Sequence, residues 1–101
     1  MKYAKRVDAN QNQIVKCLRK MGCKVHITSQ VGYGFPDLVV GIADKVFLVE
    51  IKDGSKPPSQ RHLTASERDF ADDWGFAYVI IESLDEAIEW VNGVRHAKSD
   101  T

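Results

Sequence analysis

Two runs rich in β-branched residues are separated by only Ala43-Asp44, and that spacing predicts an antiparallel hairpin. The first run is Pro36-Asp37-Leu38-Val39-Val40-Gly41-Ile42, and the second is Lys45-Val46-Phe47-Leu48-Val49-Glu50-Ile51-Lys52. With Ala43-Asp44 as a two-residue turn, Ile42 pairs with Lys45 and Asp37 pairs with Glu50. Residues so opposed have Cβ atoms about 5 Å apart, where like charges repel. Lys52 lies two residues beyond Glu50 and projects from the same face of its strand. Two carboxylates and an ammonium at one end of an apolar hairpin are the groups needed to hold Mg²⁺ and a water against a phosphodiester. A three-residue turn gives another outcome, in which Asp37 faces Ile51 and the two acids sit diagonally on opposite faces. The same residues also fit a solvated strand edge or a cross-strand salt bridge with no metal.

The rest of the chain sets the frame for that hairpin. Its 101 residues suffice for a single modest core. A hydrophobic content of 44% with 28% charged residues is ordinary for a soluble globular protein. No apolar run approaches the ~20 residues of a membrane span. The start, Met1-Lys2-Tyr3-Ala4-Lys5-Arg6, lacks the apolar stretch of a secretory signal. A cytoplasmic protein is expected, with Cys17 and Cys23 as reduced, inert thiols. The formal net charge of zero hides a gradient. Residues 1–31 carry seven Lys or Arg against one acid, whereas residues 65–101 carry nine acids against three bases. A basic face able to neutralise phosphates is one reading, and helices whose charges only keep the protein in solution are the other.

Gln11 to Met21 reads as a helix, with Ile14, Val15, Leu18 and Met21 on one face, Asp8 or Asn10 as its cap and Gly22 at its end. Lys24-Val25-His26-Ile27-Thr28 alternates as a first strand. Gly54, Pro57 and Pro58 argue against a helix or interior strand just after Lys52. Thr64-Ala65-Ser66-Glu67 is a capping box opening a helix that carries Phe70, Ala71 and Trp74 and stops at Gly75. Phe76 to Ile81 reads as a buried strand. A second capping box, Ser83-Leu84-Asp85-Glu86, opens a last helix with Ala87, Ile88, Trp90 and Val91 on its apolar side. An α/β fold in αβββαβα order is therefore expected, with a central mixed four-stranded sheet flanked by helices. Residues 1–94 are expected to form one domain and 95–101 a disordered tail.

Pro36-Asp37, followed after twelve residues by Glu50-Ile51-Lys52, resembles the motif of the PD-(D/E)XK nuclease superfamily. The wider wording, Gly34-Phe35-Pro36-Asp37-Leu38-Val39-Val40-Gly41 and then Val49 through Ser59, is similar to the VRR-NUC branch, above all its stand-alone bacteriophage-type members. The later Leu63-Thr64 and Trp74-Gly75 fall where that branch starts and ends a helix, so the likeness spans roughly residues 6 to 91. The resemblance implies a restriction-endonuclease-like core and a metal-dependent, structure-specific DNA endonuclease. Asp37, Glu50 and the Ile51 carbonyl are then the ligands of Mg²⁺ or Mn²⁺. Lys52 orients or activates the attacking water and offsets charge on the phosphate. Branched DNA (Holliday junctions or flaps) is the implied substrate, a homodimer the implied assembly, and the host cytoplasm the place of action if the chain is phage-encoded. No membrane and no small-molecule substrate are expected.

Two positions depart from that pattern. Many superfamily members carry a first-helix glutamate as a further ligand, where this chain has Gln11. A Gln amide oxygen can support a metal-bound water but brings no charge, which leaves Asp8 as a substitute. Relatives often have a Gln early in the second helix, where this chain has Glu67, and the capping box accounts for Glu67 without catalysis.

Tyr33, between two glycines before Pro36, suits either stacking on a base at the site mouth or a plain turn with one packed aromatic. Lys56 and Arg61 could bind phosphate beside the site or belong to a solvated connection. Trp74 and Trp90 read as core or subunit interface. His26, His62 and His96 show no ligand spacing. A non-catalytic DNA-binding or assembly module that keeps the nuclease fold is the alternative function.

Overall fold

The structure, a computed structural model, describes residues 10–97. Its elements are α1 (Gln11–Lys20), β1 (Lys24–Ile27), β2 (Leu38–Ile42), β3 (Lys45–Ile51), α2 (Ala65–Trp74), β4 (Tyr78–Ile81) and α3 (Leu84–His96). The strands form one mixed sheet in the order β1-β2-β3-β4, antiparallel except for the parallel pair β3-β4. The expected mixed four-stranded sheet with flanking helices is thus present.

The hairpin takes the two-residue register. Ile42 is opposite Lys45 and Leu38 opposite Val49. Ala43 and Asp44 have φ of 52° and 67°, the left-handed pair that a type I′ turn demands. Alternation then sorts the side chains. Leu38, Val40, Ile42, Val49 and Ile51 point to one face, where Ile14, Val15 and Leu18 of α1 and Ala87 and Val91 of α3 close the core. Val39, Leu48 and Glu50 point to the other face. There Phe70 of α2 meets Phe35 edge-on at 5.2 Å and Tyr78 at 6.4 Å.

Several local expectations need correction. Asn10 stands at the N-cap of α1 but in helical φ/ψ, and its side chain makes no cap bond. Its Nδ2 instead donates to the Lys52 carbonyl (3.0 Å) and the Glu82 carbonyl (3.3 Å), tying α1 to the ends of β3 and β4. Asp8 lies outside the described residues. Pro58–Gln60 forms one 3-10 turn in the loop read as free of helix. Pro58 opens it, where no N–H is needed. The Thr64-Glu67 capping box is complete. At α3, Ser83 Oγ accepts from the Glu86 amide, but the Glu86 carboxylate reaches one residue further back, to the Glu82 amide at 2.8 Å. Of β4, only Ile81 is buried, because the strand lies at the sheet edge. Helix α3 runs through His96, past the expected start of the tail, and residues 98–101 lie outside the described ones.

Ala43 holds positive φ with a side chain that disfavours it, and Asp44 holds it less easily than glycine would. Replacing them as Ala43→Asn with Asp44→Gly is expected to stabilise the fold by about 1 kcal/mol, a rise in melting temperature of about 4–8 °C for a domain this size. A calorimetric scan of the double variant checks this, and an unchanged or lower midpoint contradicts the turn assignment.

Candidate active site

The site is built where the hairpin ladder ends. Continuing the register past Leu38–Val49 sets Asp37 opposite Glu50 and Pro36 opposite Ile51. Proline has no N–H to continue the ladder. The Pro36 carbonyl accepts from Thr28 Oγ1 (2.8 Å), and the Asp37 carbonyl accepts from the Thr28 amide (2.7 Å). The Ile51 amide is satisfied by a side chain: it donates to Asp37 Oδ2 at 2.9 Å. Sequence and geometry together therefore turn the Asp37 carboxylate across to β3, beside Glu50.

Both acids are out of water, Asp37 at 6% exposure and Glu50 at 2%. Lys52 Nζ lies 3.7 Å from Glu50 Oε2 and 2.8 Å from Glu67 Oε1. Glu67 is also buried, and the same Oε1 accepts the Thr64 amide at 2.9 Å. One carboxylate thus caps α2 and grips the lysine at the end of β3. The capping-box reading of Glu67 holds, and the same carboxylate also contacts Lys52.

The electrostatics follow from burial. Desolvation, then the charges of Asp37 and Glu67 and a hydrogen bond with Glu67, push the Glu50 carboxyl up to about 9, and Lys52 offsets this only in part. Glu67 goes the other way. Burial raises it, but hydrogen bonds from Lys52, the Thr64 amide and Glu50 outweigh that and hold it below its usual value. The Tyr78 phenol, buried and close to Glu50, Glu67 and Asp37, is raised well above its ordinary range. Sequence reasoning did not single out Tyr78, because the β3-β4 register that sets it opposite Leu48, on the Glu50 face, cannot be read from the chain.

Four buried side-chain oxygens near this end of the sheet have no hydrogen-bond partner among the described residues: Glu50 Oε1, Gln11 Oε1, Asn10 Oδ1 and Tyr78 Oη. Gln11 is fixed by its amide, whose Nε2 donates to the buried Ser29 Oγ at 2.9 Å, just beyond β1. Ser29 was not a sequence candidate, since a lone loop serine carries no signal. Among the described residues no three His, Cys, Asp or Glu side chains cluster at metal-ligand spacing. A hard cation here would have Asp37, Glu50 and a backbone carbonyl such as that of Ile51 as its protein ligands. The unpartnered Glu50 Oε1, and the burial and neighbouring carboxylates that raise the Glu50 carboxyl, fit such an ion.

Other sequence candidates take no part in this buried cluster. Arg61 is engaged within its loop, with Nε donating to the Lys56 carbonyl (2.8 Å) and Nη1 to both Glu82 oxygens (3.1 and 3.3 Å). Lys56 is exposed. Tyr33 is not a packed turn aromatic, being 97% exposed. Trp90 is half-buried, edge-on to Phe47, and Trp74 stacks between Phe70 and Phe76. Cys17 and Cys23 are free thiols. Among the described residues no helix is long and apolar enough to cross a membrane. Comparison with protein-family models, with curated proteins and with solved structures finds no match to this chain.

The raised Glu50 carboxyl has a sign that can be checked. Unfolded, it ionises near 4.5; folded, near 9. The folded state therefore holds a proton that the unfolded state releases between those values, so stability falls as pH rises through that window. At pH 7 the loss has an upper bound of about 3 kcal/mol, from roughly 1.4 kcal/mol per unit. In EDTA, the melting temperature of the native chain is expected to decline from pH 5 to pH 8. Glu50→Gln should flatten that decline, and an equally steep fall in this variant would assign it to other groups.

Proposed function

We propose that this chain is a Mg²⁺- or Mn²⁺-dependent endodeoxyribonuclease on a restriction-endonuclease-like core, of the VRR-NUC type, acting on branched DNA as a homodimer in the cytoplasm. The observation that carries the reading is the site itself: Asp37 and Glu50 are buried side by side, with Lys52 beside Glu50 and one Glu50 oxygen open. A structural role for the hairpin end has no use for two desolvated acids held against each other.

In this reading Asp37, Glu50 and the Ile51 carbonyl hold the ion. When bound, the ion supplies charge neutralisation at the phosphoryl group and a more acidic water. Lys52 faces the same volume as Glu50, where its ammonium can orient the attacking water and offset charge building on the phosphate. Glu67 holds that ammonium in place through its 2.8 Å contact. Leaving Lys52 room to swing away would forfeit its contribution, since positioning within tenths of an ångström decides such catalysis. The hydrogen bond from the Ile51 amide fixes the Asp37 carboxylate in the same manner. No base-reading motif accompanies the site, so recognition would rest on phosphates and shape.

One observation favours the alternative, a DNA-binding module that keeps the fold without the activity. The Lys52–Glu67 ion pair is short and largely buried, and a purely structural bridge would look the same.

The deciding experiment is cleavage of labelled four-way-junction, flap and linear DNA with Mg²⁺ or Mn²⁺. Branched substrates should be cut by the native chain, and Glu50→Ala should abolish cutting. Lys52→Ala should lower the rate by about 10²–10⁴-fold, the usual scale for a positioned acid, base or charge. Mn²⁺ should also raise the melting temperature of the native chain and not of Asp37→Asn. DNA binding in EDTA by a native protein that shows neither cutting nor a metal-induced shift would select the binding module.

A further inference from the structure

We propose that Tyr33 is a stacking platform for an unpaired nucleobase beside the scissile phosphate. This rests on the nuclease reading for its location and extends it by naming what the substrate must offer, a base already out of its stack.

The loop from Ser29 to Pro36 holds Tyr33 in an unusual way. Gly32, Tyr33 and Gly34 have consecutive φ values of 81°, 57° and 79°. A left-handed backbone is open to glycine and disfavoured for a tyrosine, whose Cβ crowds the following carbonyl. Such strain persists only where surrounding structure holds it. Here the loop is pinned on both sides. The Val31 amide donates to the Thr28 carbonyl and the Phe35 amide to the Gly32 carbonyl, each at 3.0 Å. Phe35 is anchored against Phe70. Gly34 lies so close to α2 that a Cβ there would collide with the Ser66 carbonyl oxygen. The loop is therefore rigid, and Tyr33 is displayed from it at 97% exposure, with Val31, two residues earlier, 52% exposed.

An aromatic that contributes to folding is packed, and one that is incidental does not need a strained, clamped support. Its position is also specific. Gly34 abuts the backbone of Ser66 and Glu67, and Glu67 holds Lys52. On the other side of the loop, Pro36 and Asp37 enter the catalytic hairpin. Tyr33 thus stands one residue from the clamp that aligns the lysine and four from the metal-binding acid. The other large exposed aromatics do not share this setting. Trp74 and Phe76 stack on each other at 5.4 Å, at the end of α2 remote from Glu67.

A rigid, solvent-exposed phenol face suits a base that has left its partner, because stacking needs only a π-face and loses little freedom on binding. Bases at a junction centre or flap origin are unpaired or easily unpaired, whereas those of a linear duplex are stacked on both sides. This connects a single side chain to the preference for branched DNA, without base-specific hydrogen bonds.

The test is done in EDTA, so that it reads binding and not cleavage. Flap and junction DNA carry 2-aminopurine, or an abasic residue, at the branch nucleotide. Native protein should quench the 2-aminopurine, and Tyr33→Trp and Tyr33→Phe should retain the quenching. Tyr33→Ala should lose it and bind roughly five- to 150-fold more weakly, the range for one aromatic–base stack. The abasic substrate should weaken native binding similarly, and the two changes combined should cost no more than either alone. Additive losses, or Tyr33→Ala binding within about twofold of native with full quenching, would overturn the proposal. If the stacking results hold while Mn²⁺ supports no cleavage, the nuclease reading fails and the platform stands. If branched DNA is cut and Tyr33→Ala behaves as native, the platform fails and the nuclease stands. An absence of DNA binding by the native chain at low salt would remove both.

Discussion

Asp37 and Glu50 are held side by side out of water, and the arrangement around them is organised by that fact. Two ionised carboxylates cannot share such a space without compensation. The Ile51 amide offers Asp37 a hydrogen bond, and Lys52 offers Glu50 a charge at 3.7 Å. Lys52 is nearer to Glu67, so the lysine is divided between two acids and leaves Glu50 short of compensation. The raised Glu50 carboxyl and its open oxygen are two expressions of the same deficit. Glu67 joins this network because Thr64 opens α2 there. In turn, α2 can approach only because Gly34 has no side chain. A helix cap, a glycine and the lysine at the end of β3 are thereby parts of one electrostatic arrangement.

What could be read in the chain divides along the range of the interactions. The hairpin register follows from a turn of two residues and from alternation, both local, and Ile42 does face Lys45. The Thr64 cap, four residues long, was equally legible. The chain was less informative where distant segments compete for one group. Asn10 looks like a helix cap by position, but its amide bonds carbonyls at Lys52 and Glu82, which only the folded sheet brings to it. Arg61 reads as a phosphate ligand or as part of a solvated connection, and its bond to Glu82, from the end of β4, is visible only in the fold. The exposure of β4 was missed because an apolar run does not reveal whether its strand will be central or at the edge. Tyr33 was ambiguous for a related reason, since two flanking glycines say that a turn exists and not which way the ring points.

The presence of glutamate at position 67 has a consequence for how Lys52 can act in the proposed reaction. A neutral amide at that position would still complete the cap, since glutamine serves at the third helical residue as well as glutamate does. The carboxylate adds a negative charge 2.8 Å from Nζ, and an opposite charge at that range favours the ammonium over the free amine. An ammonium has no lone pair with which to take a proton from water. Of the two roles open to such a lysine, orienting the water and offsetting charge is the one this pairing supports, and proton abstraction is the one it disfavours. The same carboxylate makes the site more acidic overall: with the Glu50 proton released, Asp37, Glu50 and Glu67 face a single lysine. A doubly charged cation balances that excess better than a second ammonium could. The neutral Gln11 then fits as well, because a further acid from α1 would add to a surplus that Glu67 already supplies.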